Sequence, residues 1–227
     1  MRRRILAAAT DGKPYTPVAG IWSDGLAYSA IPHIHENPYH GRVVAEISLL
    51  AALDRRMLRR NLFGASTRDT YHLLNNYWDG SPSSWSMQAY CGDNVVLCRF
   101  TDTPQAGERF RIEIWRDTGS HGLAVERNGV PLFRQEVEPR WAMTLGRLGV
   151  FTQNNAGAGG GVSPISGRVP TGILLTSLEY WDGDSYHADL APAVERATGE
   201  ACLYDLENGV FVKNLGQGEF HVLEDWK

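Results

Sequence analysis

The densest group of side chains able to hold a metal ion or move a proton is His33, His35, Glu36 and His40. At i and i+2, His33 and His35 would share one strand face and offer two imidazoles to a metal. Pro32 before them, with Pro38 and Gly41 after, describes a polar loop equally well, and no Cys or His elsewhere completes a ligand set. No metal and no other cofactor is therefore expected. Carboxylates come in three i, i+2 pairs, Glu136/Glu138, Asp182/Asp184 and Asp205/Glu207. On a strand such a pair approaches the separation of about 5–5.5 Å used by retaining glycosidases. A serine nucleophile finds no support. Gly-x-Ser-x-Gly is absent, and Ser163 and Ser166 do not read as a strand-to-helix elbow. The run Gly157-Ala-Gly-Gly-Gly161 lacks the lysine and following helix of a phosphate-binding loop.

The stretch Asn75-Asn-Tyr-Trp-Asp-Gly-Ser-Pro-Ser-Ser-Trp85 points to binding rather than catalysis. Aromatic faces beside Asn and Asp suit sugars, whose C–H faces stack while their hydroxyls take hydrogen bonds. Asn76, Tyr77, Trp78, Asp79 and Trp85 are thus the leading candidates for a ligand site, with Asn154 and Asn155 as a second group. Turn chemistry accounts for Asp79-Gly80-Ser81-Pro82 as well, and either tryptophan would also serve as core.

The elements that position these residues are short strands. The chain has 227 residues, 43% of them hydrophobic, enough for one large β domain with a substantial core. Arg109-Phe-Arg-Ile-Glu-Ile-Trp115 alternates so that Phe110, Ile112 and Ile114 face one way and Arg109, Arg111 and Glu113 the other, as in a half-buried antiparallel strand. Leu123–Arg127 and Pro131–Val137 meet through Asn128-Gly129, a type I′ hairpin signal. Val43–Leu50, Asn61–Ala65, Tyr71–Tyr77, Trp85–Tyr90, Val95–Phe100, Leu145–Thr152, Gly172–Trp181, Ala201–Leu206 and Val210–Asn214 bring the expected strands to about a dozen. Asn208-Gly209 predicts a second tight hairpin. Only Leu49–Arg60 has a helical period, for at most a short helix. Residues 1–19 read as an N-terminal arm and 20–227 as a single domain.

Composition narrows the function. A net charge of −4 argues against a general nucleic-acid binder, which needs clustered Lys and Arg. The one basic run, Arg55-Arg56 and Arg59-Arg60, reads as a solvated edge. No apolar run is long enough to span a membrane as a helix. Ile5–Ala9 is too short for the apolar core of a signal peptide, so no export signal is expected. Cys91, Cys98 and Cys202 show no CxxC spacing and read as buried thiols, with a Cys91–Cys98 bridge left open.

Tyr15-Thr-Pro-Val-Ala-Gly-Ile-Trp-Ser-Asp-Gly-Leu-Ala-Tyr-Ser-Ala-Ile-Pro32 resembles the opening of laminin-G-like jelly-roll modules found in prophage and gut-bacterial proteins. Ala201-Cys-Leu-Tyr-Asp-Leu-Glu-Asn-Gly-Val-Phe-Val-Lys-Asn-Leu-Gly-Gln-Gly-Glu-Phe220 is similar to their closing signature. Leu148–Asn155, Glu179–Asp184 and Asp189–Ala193 keep the family order between them. The resemblance implies an all-β, antiparallel jelly-roll sandwich of the concanavalin A-like kind. It also implies a phage or prophage tail setting, in the virion or in the bacterial cytoplasm before assembly. The retaining glucanases of this fold carry Glu-x-Asp-x-x-Glu, and none of the three acidic pairs has the third acid. The expectation is a non-enzymatic, lectin-like adhesion module with a surface glycan as ligand. Alternatives are a structural subunit that contacts itself or a tail-protein partner, and a divergent glycoside hydrolase. Calcium, common in laminin-G relatives, would draw on Asp79, Asp182 and Asp184, but no spacing specifies it.

Overall fold

The computed structural model describes residues 12–37, 40–51, 60–64, 70–76, 85–91, 94–138, 146–152, 154, 161–162 and 172–224. Among the described residues, alternating apolar side chains and Gly- or Asn-rich turns produce seventeen strands and no helix. In chain order they are β1 (Tyr15–Pro17), β2 (Gly20–Ser23), β3 (Ser29–His35), β4 (Gly41–Leu49), β5 (Arg60–Gly64), β6 (Thr70–Asn76), β7 (Trp85–Cys91), β8 (Asn94–Arg99) and β9 (Arg109–Arg116). There follow β10 (His121–Arg127), β11 (Val130–Val137), β12 (Gly146–Val150), β13 (Ile173–Asp182), β14 (Tyr186–Glu195), β15 (Ala201–Asp205), β16 (Val210–Val212) and β17 (Phe220–Leu223).

The strands form two antiparallel sheets. The larger runs β11-β10-β9-β4-β13-β14-β15-β16, with β1 on β14 and β2 joining β13 to β17, and the smaller runs β3-β12-β5-β6-β7-β8. Alternation decides what lies between them. Val43, Ala45, Ile47 and Leu49 of β4 and Phe110, Ile112 and Ile114 of β9 join one core with Ile31, Leu62, Phe63, Met87, Val96 and Val150 of the smaller sheet. On the opposite face of the larger sheet Tyr15, Ala193 and Cys202 form a second, small buried cluster at the β14–β15 end, and the candidate site lies toward the other end.

The Asn128-Gly129 hairpin forms as the sequence predicts, with φ of 54° and 80° at its two residues. The Asn208-Gly209 turn is longer: β15 and β16 meet at Asp205 and Val210, and of the two residues only Gly209 has positive φ. Within the stretch expected as an arm over 1–19, Tyr15–Pro17 is a strand on β14 and Tyr15 is buried; residues 1–11 lie outside the described residues. Cys98 is a free, buried thiol whose register partner is Met87, so it does not pair with Cys91. Burial pushes that thiol up to about 12. The helix expected over Leu49–Arg60 falls largely outside the described residues; Leu49 itself ends β4.

Candidate functional site

With Phe110, Ile112 and Ile114 turned inward, the pleat sends Arg111, Glu113 and Trp115 of β9 to the solvent face. The same alternation sends out Arg42 of β4, and a register shift between Leu175 and Ser177 leaves Glu179 and Trp181 of β13 facing out. Register then aligns these groups across the sheet. Glu136 is opposite Gly122, Gly122 opposite Trp115, Trp115 opposite Arg42, Arg42 opposite Trp181 and Trp181 opposite His187. The row crosses six strands, and its two tryptophans stand two strands apart, on the order of 10 Å.

Each indole is held by its neighbours. Trp115 lies flat across Gly122, whose missing side chain makes the seat: a Cβ there would stand 2.0 Å from the indole Cζ2. Arg134 covers the ring with its guanidinium carbon 4.4 Å from a ring centroid. Trp181 is stacked by His187 (4.7 Å, 13°) and approached by Arg42 (5.0 Å). Arg42 is itself fixed by Glu113 at 2.8 Å. Between and beside these groups opens a cleft of about 630 Å³, lined also by Asn37, His40, Asp117, Ser120, Glu136, Gly183 and Asp184.

Beneath one rim lies a buried polar nest. Asp182, next in chain to Trp181, turns inward and its side chain has no solvent exposure. It accepts the backbone N–H of Glu36 (2.7 Å) and Asn37 (3.1 Å), which ties the 36–37 segment to the end of β13. His33 Nε2 lies 2.8 Å from it and His35 Nδ1 3.3 Å. His35 Nδ1 is also 2.6 Å from the Tyr180 hydroxyl, and His33 stacks on Tyr186 at 3.9 Å. Burial works to raise the carboxyl, but the Glu36 N–H, the ring of His33, the nearby His35 and the Asn37 N–H outweigh it and hold it below the usual carboxylate range. Asn37 in turn accepts the His40 N–H through its side chain, at 3.1 Å.

The residues singled out from sequence fall into separate places. His33 and His35 share β3 and converge on Asp182, while His40 stands apart, 3.4 Å from Asp117 and 3.3 Å from Thr118. Asp182 and Asp184 divide, one into the nest and one into the cleft lining. Asp205 is buried and anchors the closing turn, accepting from the N–H of Asp189, Glu207 and Asn208. Asn76 and Trp85 are register partners at the ends of β6 and β7. Tyr77, Trp78, Asp79 and Asn155 lie outside the described residues. Asn154 corrects expectation: it is fully buried, and its amide donates to the carbonyls of Arg147 (3.1 Å) and Gly161 (3.0 Å), so it holds the loop and is closed to ligands.

Trp115, Trp181, Arg42 and Arg134 fall outside the residues that the sequence singles out. A signal for Trp115 is present, since it continues the polar side of the Arg109–Glu113 alternation. A large aromatic on a polar face is the informative exception.

No family model and no curated protein matches this chain. Among solved structures it is similar to a heptameric SAP-like pentraxin from Limulus polyphemus, at 12% identity and TM-score 0.56 over 96% of this chain and 98% of that one. It is also similar to a candidate carbohydrate-binding protein from Bacteroides ovatus, at 11% identity and TM-score 0.56 over 92% of this chain and 61% of that one. A tailspike domain of bacteriophage CBA120 agrees more loosely, at 14% identity and TM-score 0.44 over 73% of this chain and 26% of that one. At such identities the likeness defines architecture alone. The chain is a jelly-roll β-sandwich.

Proposed function

We propose that the chain is a non-enzymatic, lectin-like binding module that takes a surface glycan in the cleft between Trp115 and Trp181. One observation carries the reading: two indoles fixed in a polar row, with planar guanidinium and carboxylate groups around them in an open volume of about 630 Å³. Sugars match such a surface, with a C–H face for the partly exposed Trp181 and paired hydroxyls for the planar groups. The Bacteroides ovatus protein of the same architecture, itself a candidate carbohydrate binder, supports the reading. The resemblance to prophage modules suits attachment of a tail to a cell surface.

The non-enzymatic part rests on how the cleft's carboxylates are arranged. Glu113 is engaged by Arg42, while Glu136 and Asp184 come from β11 and the β13–β14 turn. Those elements are four strand steps apart, roughly 20 Å, well beyond the spacing of a glycosidase pair, and the remaining cleft carboxylate, Asp117, lies 3.4 Å from His40. A glycan array with monodisperse protein is expected to yield ligands that Trp181→Ala loses at least tenfold, with no new reducing ends on a polysaccharide panel. An empty array would sink the reading, and turnover would replace it with hydrolysis.

A second reading, assembly through protein contacts, draws on β11. It is an edge strand and leaves Val130 and Leu132 exposed. Light scattering distinguishes it: a discrete oligomer dispersed by Leu132→Lys supports assembly through this edge.

A further inference from the structure

The solvent face of the larger sheet carries several arginines, and their partners differ. Arg42 pairs with Glu113, and Arg111 approaches Glu113 and Glu126. Arg134 contacts the Trp115 ring at 4.4 Å, and no carboxylate among the described residues pairs with it. Its seat is nonetheless built. Trp115 is laid flat by Gly122, so one indole face rests on backbone and the other meets the guanidinium. A guanidinium resting on an aromatic ring is held in place, while its N–H edge stays free to donate. Arg134 lines the cleft.

A fixed guanidinium with a free edge is a receptor for an oxyanion, which it grips with two parallel N–H···O bonds. Resting on the reading of the cleft as a glycan site, we infer that Arg134 is its specificity-determining residue and that the glycan carries an anionic group, a uronic carboxylate or a phosphate. Glu136, two residues on in the same strand, and Asp184 across the cleft repel free anions. The acidic group is therefore read only as part of a sugar chain whose remainder contacts the partly exposed Trp181. Arg42, already neutralised by Glu113, cannot substitute.

The test compares oligogalacturonate and glycerol-phosphate oligomers with neutral malto- and cello-oligosaccharides, by titration against the full chain. One of the two acidic series is expected to bind at least tenfold more tightly than the neutral ones, and which of them does so names the oxyanion. Arg134→Ala should abolish that preference. Arg134→Lys, which keeps the charge but loses the planar fork, should restore only part of it. The melting temperature of both variants should stay near that of the wild type, because Arg134 is exposed. Neutral glycans binding as tightly as acidic ones, or an acidic preference that survives Arg134→Ala, would overturn the inference and leave the glycan site standing. Silence from every glycan, acidic and neutral, would remove the glycan site and the inference with it.

Discussion

Two ends of one sheet face place aromatic side chains outward and treat them in opposite ways. At the β14–β15 end, Tyr204 is stacked by Tyr15 of β1 at 4.1 Å and meets Phe211 edge-on, over Ala193 and Cys202. The chain closes that end with its own first strand. At the β9–β13 end, Trp115 and Trp181 are flanked by Arg134, Arg42 and His187, and a cleft opens beside them. Among the described residues, no strand covers them. Outward aromatics are thus covered by other aromatics where the chain supplies its own lid, and by polar flanks at the cleft, where Trp115 is buried and Trp181 stays partly exposed. The comparison separates a stability role from a binding role on one surface.

Substitutions can break or sharpen that contrast. The largest effect is expected at the buried foundation of the open end. Asp182→Ala removes the carboxylate that His33, His35 and two backbone N–H groups converge on, and should cost about 3–5 kcal/mol in urea unfolding. Its folded carboxyl titrates below the ordinary value of 3.8, so its stabilisation is complete above that value and fades as pH falls further. The gap between wild type and Asp182→Asn should therefore be full at pH 7 and shrink below about pH 4. At the closed end, Tyr15→Ala strips the stack from Tyr204 and should cost about 2–4 kcal/mol, leaving glycan affinity unchanged. Altered glycan affinity there would break the division of roles.

Gly122→Ala drives a methyl into the Trp115 ring and should cost about 1–3 kcal/mol, with a changed near-ultraviolet dichroism as the indole leaves its seat. The smallest effect is expected for Arg42→Ala. Its pair with Glu113 and its approach to Trp181 lie near the surface, worth about 1 kcal/mol or less in thermal unfolding.

Local features are legible in the residues themselves. The alternation in Arg109–Trp115 and the turn at Asn128-Gly129 depend on residues close in sequence, and both form as predicted. Strand β14 is not legible in this way. Tyr186-His-Ala-Asp-Leu-Ala-Pro-Ala-Val-Glu195 has little β-branching and contains Pro192, although it lies among β13, β15 and β1. Its ladder with β13 stops at Leu190, before the proline can be asked for a hydrogen bond. In the closing segment, Gly218 suggests freedom for a tight reversal, yet it is needed for room, since a Cβ there would meet the Asp24 carboxylate at 2.2 Å. The candidate site is hidden for a different reason. Arg42, Trp115 and Trp181 come from strands far apart in the chain and become neighbours only through inter-strand register, while His33 and Asp182 meet across the two sheets. Residues that lie together in sequence, such as Asn76 to Trp85, are the kind that short-range reading favours.

Indole N–H resonances on glycan addition test the central claim most directly. The chain has seven tryptophans, each with one such signal. Assignment by single substitution separates Trp115 and Trp181 from Trp22, which stacks on His221, and from Trp78 and Trp85. An array-positive glycan should shift the Trp115 and Trp181 signals and leave that of Trp22 in place. Shifts confined to Trp78 and Trp85, with Trp115 and Trp181 unmoved, would contradict the cleft and return the site to the loop between β6 and β7.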